Sequence, residues 1–383
     1  MLTRTGWGTA GGGAVLTGVG YAFGYREAAA LGTTGLLAVA VSVAVLWALP
    51  RPRLGAERRI APRKVGRGEP AESVVTVTNT GDRALRGLSA GDRCGDLEIA
   101  VTVPPLRPGA VHELRHPLPT SRRGPLPVGP LRVERVDPLG LVRRRHAYGG
   151  SETLLVRPRT CPLPALSAGR SHQVEGSASD VAADGSPAFH AVREYAFGDD
   201  LRRVHWRSTA RAGKLIVRQP ADTSLPHTTL VLDTREHAHA SQDDFELAVD
   251  CAASLAYAAA RSRLPVHLLD GVGTLLRTKG SGEDGEALLD RLALVTRSDG
   301  PSETVAFDVL ERHRDGGTLI VVGGTGAAEG LGAAAGRVRH RFDGVIVLRA
   351  GAATGAEPVV GVWETRVASL EELAAVWRAE APR

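Results

Sequence analysis

The sequence predicts three parts in series: a membrane helical hairpin, a β-sandwich-like domain, and an α/β domain with a mostly parallel sheet. Three observations carry that reading. Two uncharged segments, Gly6 to Tyr25 and Ala30 to Leu49, stand near the start of the 383-residue chain. Between Ala56 and about Pro162, short alternating runs succeed one another without a convincing helix. From about Thr228 the period changes, and short apolar runs alternate with amphipathic helical ones. The parts are residues 1–55, 56–162 and 228–383, with a linker and a signature segment over 163–227.

The second uncharged segment runs GLLAVAVSVAVLWAL near its centre and, at about 20 residues, is long enough to cross the hydrocarbon core. The first is richer in Gly and less apolar. Only Arg26, Glu27 and a few Ala separate the two, so a pair of spans with a very short outer turn is the economical arrangement. After Leu49 come Arg51, Arg53, Arg58, Arg59, Arg63, Lys64 and Arg67, opposed only by Glu57 and Glu69. An excess of Arg and Lys beside a span marks its cytoplasmic side, and Arg4 places the N-terminus there too. The expected location is the inner or plasma membrane, two-pass, with the soluble domains in the cytoplasm. A cleaved signal peptide needs a compact apolar centre followed by small residues. Here the stronger run comes second and ends in Trp47, Pro50 and arginines.

In the next part, SVVTVTN (Ser73 to Asn79) alternates with β-branched residues, and Thr80-Gly81-Asp82 supplies a turn. Leu97 to Val103, His112 to Leu118, Leu131 to Val136 and Thr153 to Val156 continue the pattern, which suggests a small β-sandwich. No residues in it point to chemistry. In the last part, TTLVL (Thr228 to Leu232) reads as a buried strand, followed by Ser241 and Asp244 as a capping box. Phe245, Val249, Ala252, Leu255 and Ala259 then recur at helical spacing. Strands at Pro265 to Leu269, Thr318 to Val322 and Val345 to Leu348 alternate with helices at Leu288 to Val295 and Thr304 to His313. A helix capped by Ser369 and Glu372 closes the chain. That alternation implies a parallel sheet covered on both faces.

Composition narrows the function. Hydrophobic residues make up 43%, enough for real cores. The formal net charge is +5, but the basic residues are spread over the whole chain, which argues against a nucleic-acid interface. Cys94, Cys161 and Cys251 are far apart, match no zinc or Cys-x-x-Cys spacing, and fit a reducing compartment.

The most distinctive stretch is FHAVREYAFGDDLRRVHWRSTARAGKLIVRQ, Phe189 to Gln219. Its pattern of Arg193-Glu194-Tyr195, Gly198-Asp199-Asp200, Arg202, His205-Trp206, Ser208, Ala210-Arg211 and Leu215 to Arg218 resembles the domain-of-unknown-function-58 (DUF58) family of prokaryotic membrane-anchored proteins. Arg123-Gly124 and Asp137-Pro138-Leu139-Gly140-Leu141 also match what that family places near the end of its β region. The resemblance implies a von Willebrand factor A-like C-terminal domain and partnership with MoxR-type AAA+ ATPases.

Physically, the segment mixes Arg193, Arg202, Arg203, Arg207, Arg211, Lys214 and Arg218 with Glu194, Asp199 and Asp200. A structural clamp would pair those carboxylates with arginines and pack Trp206 and Tyr195 under the sheet. A partner surface would instead expose basic residues beside an aromatic. His205 next to Trp206 has no Ser or Cys nucleophile constellation around it, so catalysis is not expected and the chain reads as a non-enzyme.

A von Willebrand A domain often binds a divalent ion through Asp-x-Ser-x-Ser after its first strand. Here that loop reads Asp233-Thr234-Arg235-Glu236-His237, keeping the Asp while Arg235 and His237 replace both serines. Thr296 and Asp299 are the remaining oxygens that might approach, too few for a hard cation near an arginine. No metal or other cofactor is therefore expected. Gly323-Gly324-Thr325-Gly326 follows a strand but lacks the lysine of a phosphate loop, and reads as a tight turn at the sheet edge. The leading expectation is a membrane-anchored cytoplasmic adaptor or scaffold. A metal-assisted hydrolase and a nucleic-acid-binding protein are the alternatives.

Overall fold

The computed structural model describes residues 2–164, 189–195, 204–220, 227–270, 273–298, 316–325, 335–351 and 362–380. The chain forms two compact units, Met1–Arg159 with Leu292–Val295, and Thr160–Arg291 with Thr296–Arg383.

The first unit opens with two helices, α1 (Arg4–Phe23) and α2 (Arg26–Ala48), joined at Gly24, whose φ of 75° suits a residue without Cβ. Only α2 is long and apolar enough to cross a membrane among the described residues. The glycines that dilute α1 let its backbone meet α2. A Cβ on Gly32 would lie 2.5 Å from the Thr17 nitrogen, and one on Gly20 2.4 Å from the Ala29 nitrogen. Small residues are what allow two helix backbones to approach this closely.

After the helices, β1 (Leu54–Ala61), β3 (Glu72–Asn79) and β6 (Val111–Pro117) form one antiparallel sheet with β3 in the middle. A second sheet runs in the order β2 (Lys64–Gly66), β9 (Glu152–Arg157), β7 (Gly124–Val136), β4 (Leu88–Cys94) and β5 (Leu97–Val103). In it β8 (Arg143–Tyr148) also pairs with β7. Val75, Val77 and Leu114 of the first sheet share a core with Leu88, Ala90, Val103, Leu131 and Val133 of the second. Alternation in β3 turns Ser73, Val75, Val77 and Asn79 inward, as its pattern predicts. Four strands lie outside the sequence reading: β1, β2, β4 and β8. Two of them, β1 and β4, carry charged residues that point inward, Arg58 and Asp92, which breaks the apolar alternation.

The second unit begins with an antiparallel pair, β10 (Phe189–Glu194) and β11 (Ile216–Pro220), between which lies α3 (Trp206–Ala212). Its main sheet has the order β14 (Thr274–Arg277), β13 (Val266–Asp270), β12 (Thr228–Leu232), β15 (Thr318–Gly324), β16 (Gly344–Ala350) and β17 (Trp363–Val367). Every pairing is parallel except β13 with β14, so the sheet is mixed, with one antiparallel edge strand that the sequence reading omitted. The helices are α4 (Gln242–Arg261), α5 (Asp284–Ala293) and α6 (Leu370–Glu380). Ser241 Oγ accepts from the Asp244 nitrogen at 3.1 Å and starts α4, whose Phe245, Val249, Ala252, Leu255 and Ala259 are all buried. Burying a side chain the size of Phe245 stabilises the fold by about 1.5–3 kcal/mol. Ser369 Oγ accepts from the Glu372 nitrogen at 3.2 Å and caps α6. The expected helix at Thr304 to His313 lies outside the described residues.

Candidate functional site

The signature segment folds around α3. His205 is its N-cap: Nδ1 accepts from the Ser208 nitrogen at 3.2 Å and lies 2.7 Å from Ser208 Oγ. The His205 ring thus takes part in starting α3. Gly213, at φ 66°, ends the helix, and Thr209 Oγ1 accepts from the Ile216 nitrogen to tie α3 to β11. Tyr195 is half-buried and its nitrogen donates to the Leu215 carbonyl.

The clamp reading placed Trp206 under the sheet, and the structure corrects it. Trp206 is 67% exposed, because it opens a seven-residue helix with no buried residue. Arg207 and Arg211, four apart and so on one face of α3, are both exposed. Asp199, Asp200 and Arg202 lie outside the described residues, as do the side chains of Arg193, Glu194 and Arg218.

At the carboxyl end of β12 the structure brings together Asp233, Arg235 and His239. Arg235 Nε lies 2.9 Å from Asp233 Oδ1 and Nη2 lies 2.5 Å from Oδ2, with both residues buried. This is a bidentate fork between residues two apart, and it fills both carboxylate oxygens that a metal would use. His239 Nε2 donates to the Asp233 carbonyl at 2.8 Å, and its ring packs edge-on to Phe245 at 5.1 Å. Burial holds the His239 imidazole below its ordinary range. Thr296, expected nearby, is exposed, and Asp299 lies outside the described residues. The residue that does arrive is Ser298, which pairs with Arg235 as a β-bridge and sits 3.1 Å from Thr234 Oγ1. Nothing in its sequence neighbourhood marks it.

The tight turn expected at Gly323-Gly324 is also corrected. Both glycines continue β15, in the interior of the sheet. A Cβ on Gly324 would meet the Ala238 carbonyl at 2.4 Å and His239 Nδ1 at 2.6 Å, so close approach of the 238–239 backbone requires glycine. Gly326 lies outside the described residues.

The β-sandwich, expected to hold no chemistry, contains a buried polar cluster. Arg58 of β1 contacts both oxygens of Asp92 on β4 at 2.5 Å and Ser73 Oγ on β3 at 2.7 Å. His116 Nε2 of β6 lies 3.0 Å from Asp92 Oδ2. Burial pushes the Asp92 carboxyl up, but His116 and Arg58 outweigh it and hold it below its usual range. Burial and the Asp92 charge push the Cys94 thiol up to about 11. Asp92, Cys94 and His116 place ligand atoms within 4.8 Å of one another, the spacing of a metal centre. The Arg58 guanidinium already takes both oxygens of the carboxylate, so the residues present do not fit a metal.

The Asp137 to Leu141 motif has a clear structural role. Its buried Asp137 accepts from the Leu139 nitrogen at 2.9 Å and the Val142 nitrogen at 2.5 Å, while Gly140 takes φ 71°. The turn so formed receives the helix pair: Thr3 Oγ1 donates to the Gly140 carbonyl at 2.6 Å, and Leu46 packs on Leu141 and Val142. Burial raises the Asp137 carboxyl, and donors including Val142 and Ser42 of α2 bring it below its usual range.

Residues 191–377 match the family described as "Protein of unknown function DUF58", which supports the resemblance seen in the signature segment. No curated protein matches the chain. Among solved structures, it is similar to a CARDB domain from Pyrococcus furiosus in complex with di-metal ions, at 21% identity and a TM-score of 0.22. That match covers 27% of this chain and 91% of the other. It is also similar to an ApaA protein from Bordetella pertussis, at 20% identity and a TM-score of 0.20, over 28% of this chain and 94% of the other. Scores this low carry no functional meaning for the chain.

Proposed function

We propose that the chain is a membrane-anchored adaptor that offers the exposed face of α3 to an acidic surface of a protein partner. The observation that carries this reading is Trp206, 67% exposed beside the exposed Arg207 and Arg211. Trp and Arg are the residues most enriched among binding hot spots, and a tryptophan left in water gains most from being covered. The family resemblance supplies the candidate partner, a MoxR-type AAA+ ATPase. An open, largely parallel sheet whose first strand ends in the buried Asp233 supports a von Willebrand factor A-like domain, one in which Arg235 takes the place of a cation. The apolar α2, with α1 packed on it through glycines, supports a two-pass anchor. The arginines that follow Leu49 support a cytoplasmic orientation.

Crosslinked pull-down from membranes of the native host tests the partner surface. The Arg207→Glu/Arg211→Glu variant should keep wild-type melting and lose ATPase recovery. Unchanged recovery would overturn the reading. Reporters fused after Arg383 and at Glu27 test the orientation: the first should be active only as a cytoplasmic type, the second only as an external type.

A further inference from the structure

Where α2 ends, Trp47 is 72% exposed and the Arg144 guanidinium lies over its ring, 5.4 Å from the centroid. Arg144 Nη1 donates to the Leu46 carbonyl at 3.3 Å, and Arg135 Nη1 to the Pro50 carbonyl at 2.9 Å. Strands β8 and β7 thus hold two guanidinium groups against the chain where α2 ends, Arg144 at its last turn and Arg135 at Pro50 just beyond it, and Arg51 follows, exposed. These charges converge: burial, then Arg144, Arg51 and Arg135, hold the His146 imidazole below its ordinary range. Their neighbours Arg143 and Arg145 both pair with Glu134, and Arg145 also lies beside Glu98, whereas no carboxylate pairs with Arg51, Arg135 or Arg144 among the described residues. Beside the helix ends, the Asp137 to Val142 turn leaves Leu139 61% exposed.

Three uncompensated guanidinium groups, an interfacial tryptophan and an exposed leucine at the foot of an apolar span form one surface. We propose that it binds the headgroup phosphate of an anionic glycerophospholipid, with Arg51, Arg135 and Arg144 on the phosphate and Trp47 and Leu139 against the acyl boundary. Guanidinium forks match phosphate oxygens, and tryptophan favours the headgroup level of a bilayer. The site rests on the membrane-anchor reading, since a lipid rather than a free phosphate is favoured only because α2 ends there.

The test uses the full chain reconstituted in phosphatidylcholine vesicles with a spin-labelled lipid, reading the immobilised fraction by electron paramagnetic resonance. Labelled phosphatidylglycerol should be held over labelled phosphatidylcholine by about fivefold or more, the expected effect of a single arginine near the surface. Arg51→Gln, which alters an exposed side chain, should reduce that preference, and Arg51→Gln/Arg135→Gln/Arg144→Gln should bring it close to unity. Arg53→Gln, which removes an arginine already paired with Asp82, should leave it unchanged. Equal retention of both lipids by the wild type would overturn the proposal. So would an equal loss from Arg53→Gln, which shows diffuse charge, or loss of the preference to millimolar inorganic phosphate at constant ionic strength, which shows a free-phosphate site. Absence of any immobilised lipid would overturn the anchor reading, and this site with it.

Discussion

Two buried carboxylates, Asp92 in the β-sandwich and Asp233 in the α/β unit, are each held by an arginine fork, and they are assembled in opposite ways. Asp92 meets Arg58, 34 residues away, and the cluster around it draws on four strands from both sheets. Asp233 meets Arg235, two residues on in the same loop. The first pairing exists only once the two sheets have closed on each other, whereas the second forms wherever that loop takes its shape. Both teach that a covalently attached cation can occupy a carboxylate that would otherwise invite a metal. They differ in what the pairing holds: two sheets in one case, the end of one strand in the other.

The comparison breaks most sharply at Asp92. Asp92→Ala leaves Arg58 buried without its counter-charge, and should destabilise the first unit by about 3–5 kcal/mol in denaturant unfolding. Arg58→Met/Asp92→Leu should recover most of that loss, because the desolvation cost of both charges disappears together. A double variant as unstable as Asp92→Ala would show that shape rather than charge dominates there.

Asp233→Ala should cost a comparable amount, about 3–5 kcal/mol, because it leaves the buried Arg235 without its counter-charge. Millimolar Mg²⁺ should leave wild-type melting unchanged. Arg235→Ser, which frees the carboxylate, sharpens the point: stabilisation by Mg²⁺ in that variant alone would identify the guanidinium as the displaced cation. At one hundredfold excess over Kd such stabilisation would be about 2.7 kcal/mol.

A steric change at the same loop follows in size. Gly324→Ala forces a Cβ against the Ala238 carbonyl and should cost about 1–3 kcal/mol, read as a lowered melting temperature.

The smallest effects come from pH. The Asp92 carboxyl lies below its usual range in the fold, so its pairing stabilises fully above the unfolded pKa of about 3.8 and is lost as pH falls through the lower folded value. The His239 imidazole lies below 6.5, so its neutral burial stabilises fully above about pH 6.5 and is lost as pH falls below that. Melting curves from pH 8 to 3 should therefore lose part of their slope below pH 6.5 in His239→Gln, and part of it below pH 4 in Asp92→Asn. Parallel curves for wild type and variants would remove these groups from the acid response.

The sequence by itself determined what depends on residues near one another. The β3 alternation, the Ser241 and Ser369 caps, the apolar face of α4 and the replacement of both serines by Arg235 and His237 are all local. Each appears in the structure where its spacing puts it. Tertiary structure decided what depends on distant partners. Arg58 and Asp92 disguise β1 and β4 as polar segments, because an inward charge is tolerable only when its partner arrives from the other sheet. Trp206 is exposed because it stands on the short α3, none of whose residues is buried. Gly324 must be glycine because residues 238–239, more than eighty positions earlier, press on it. Pairing propensities and caps are written within a turn or two of the chain. The desolvation of a charge, the exposure of an aromatic and the room for a Cβ are fixed only by which surfaces finally meet.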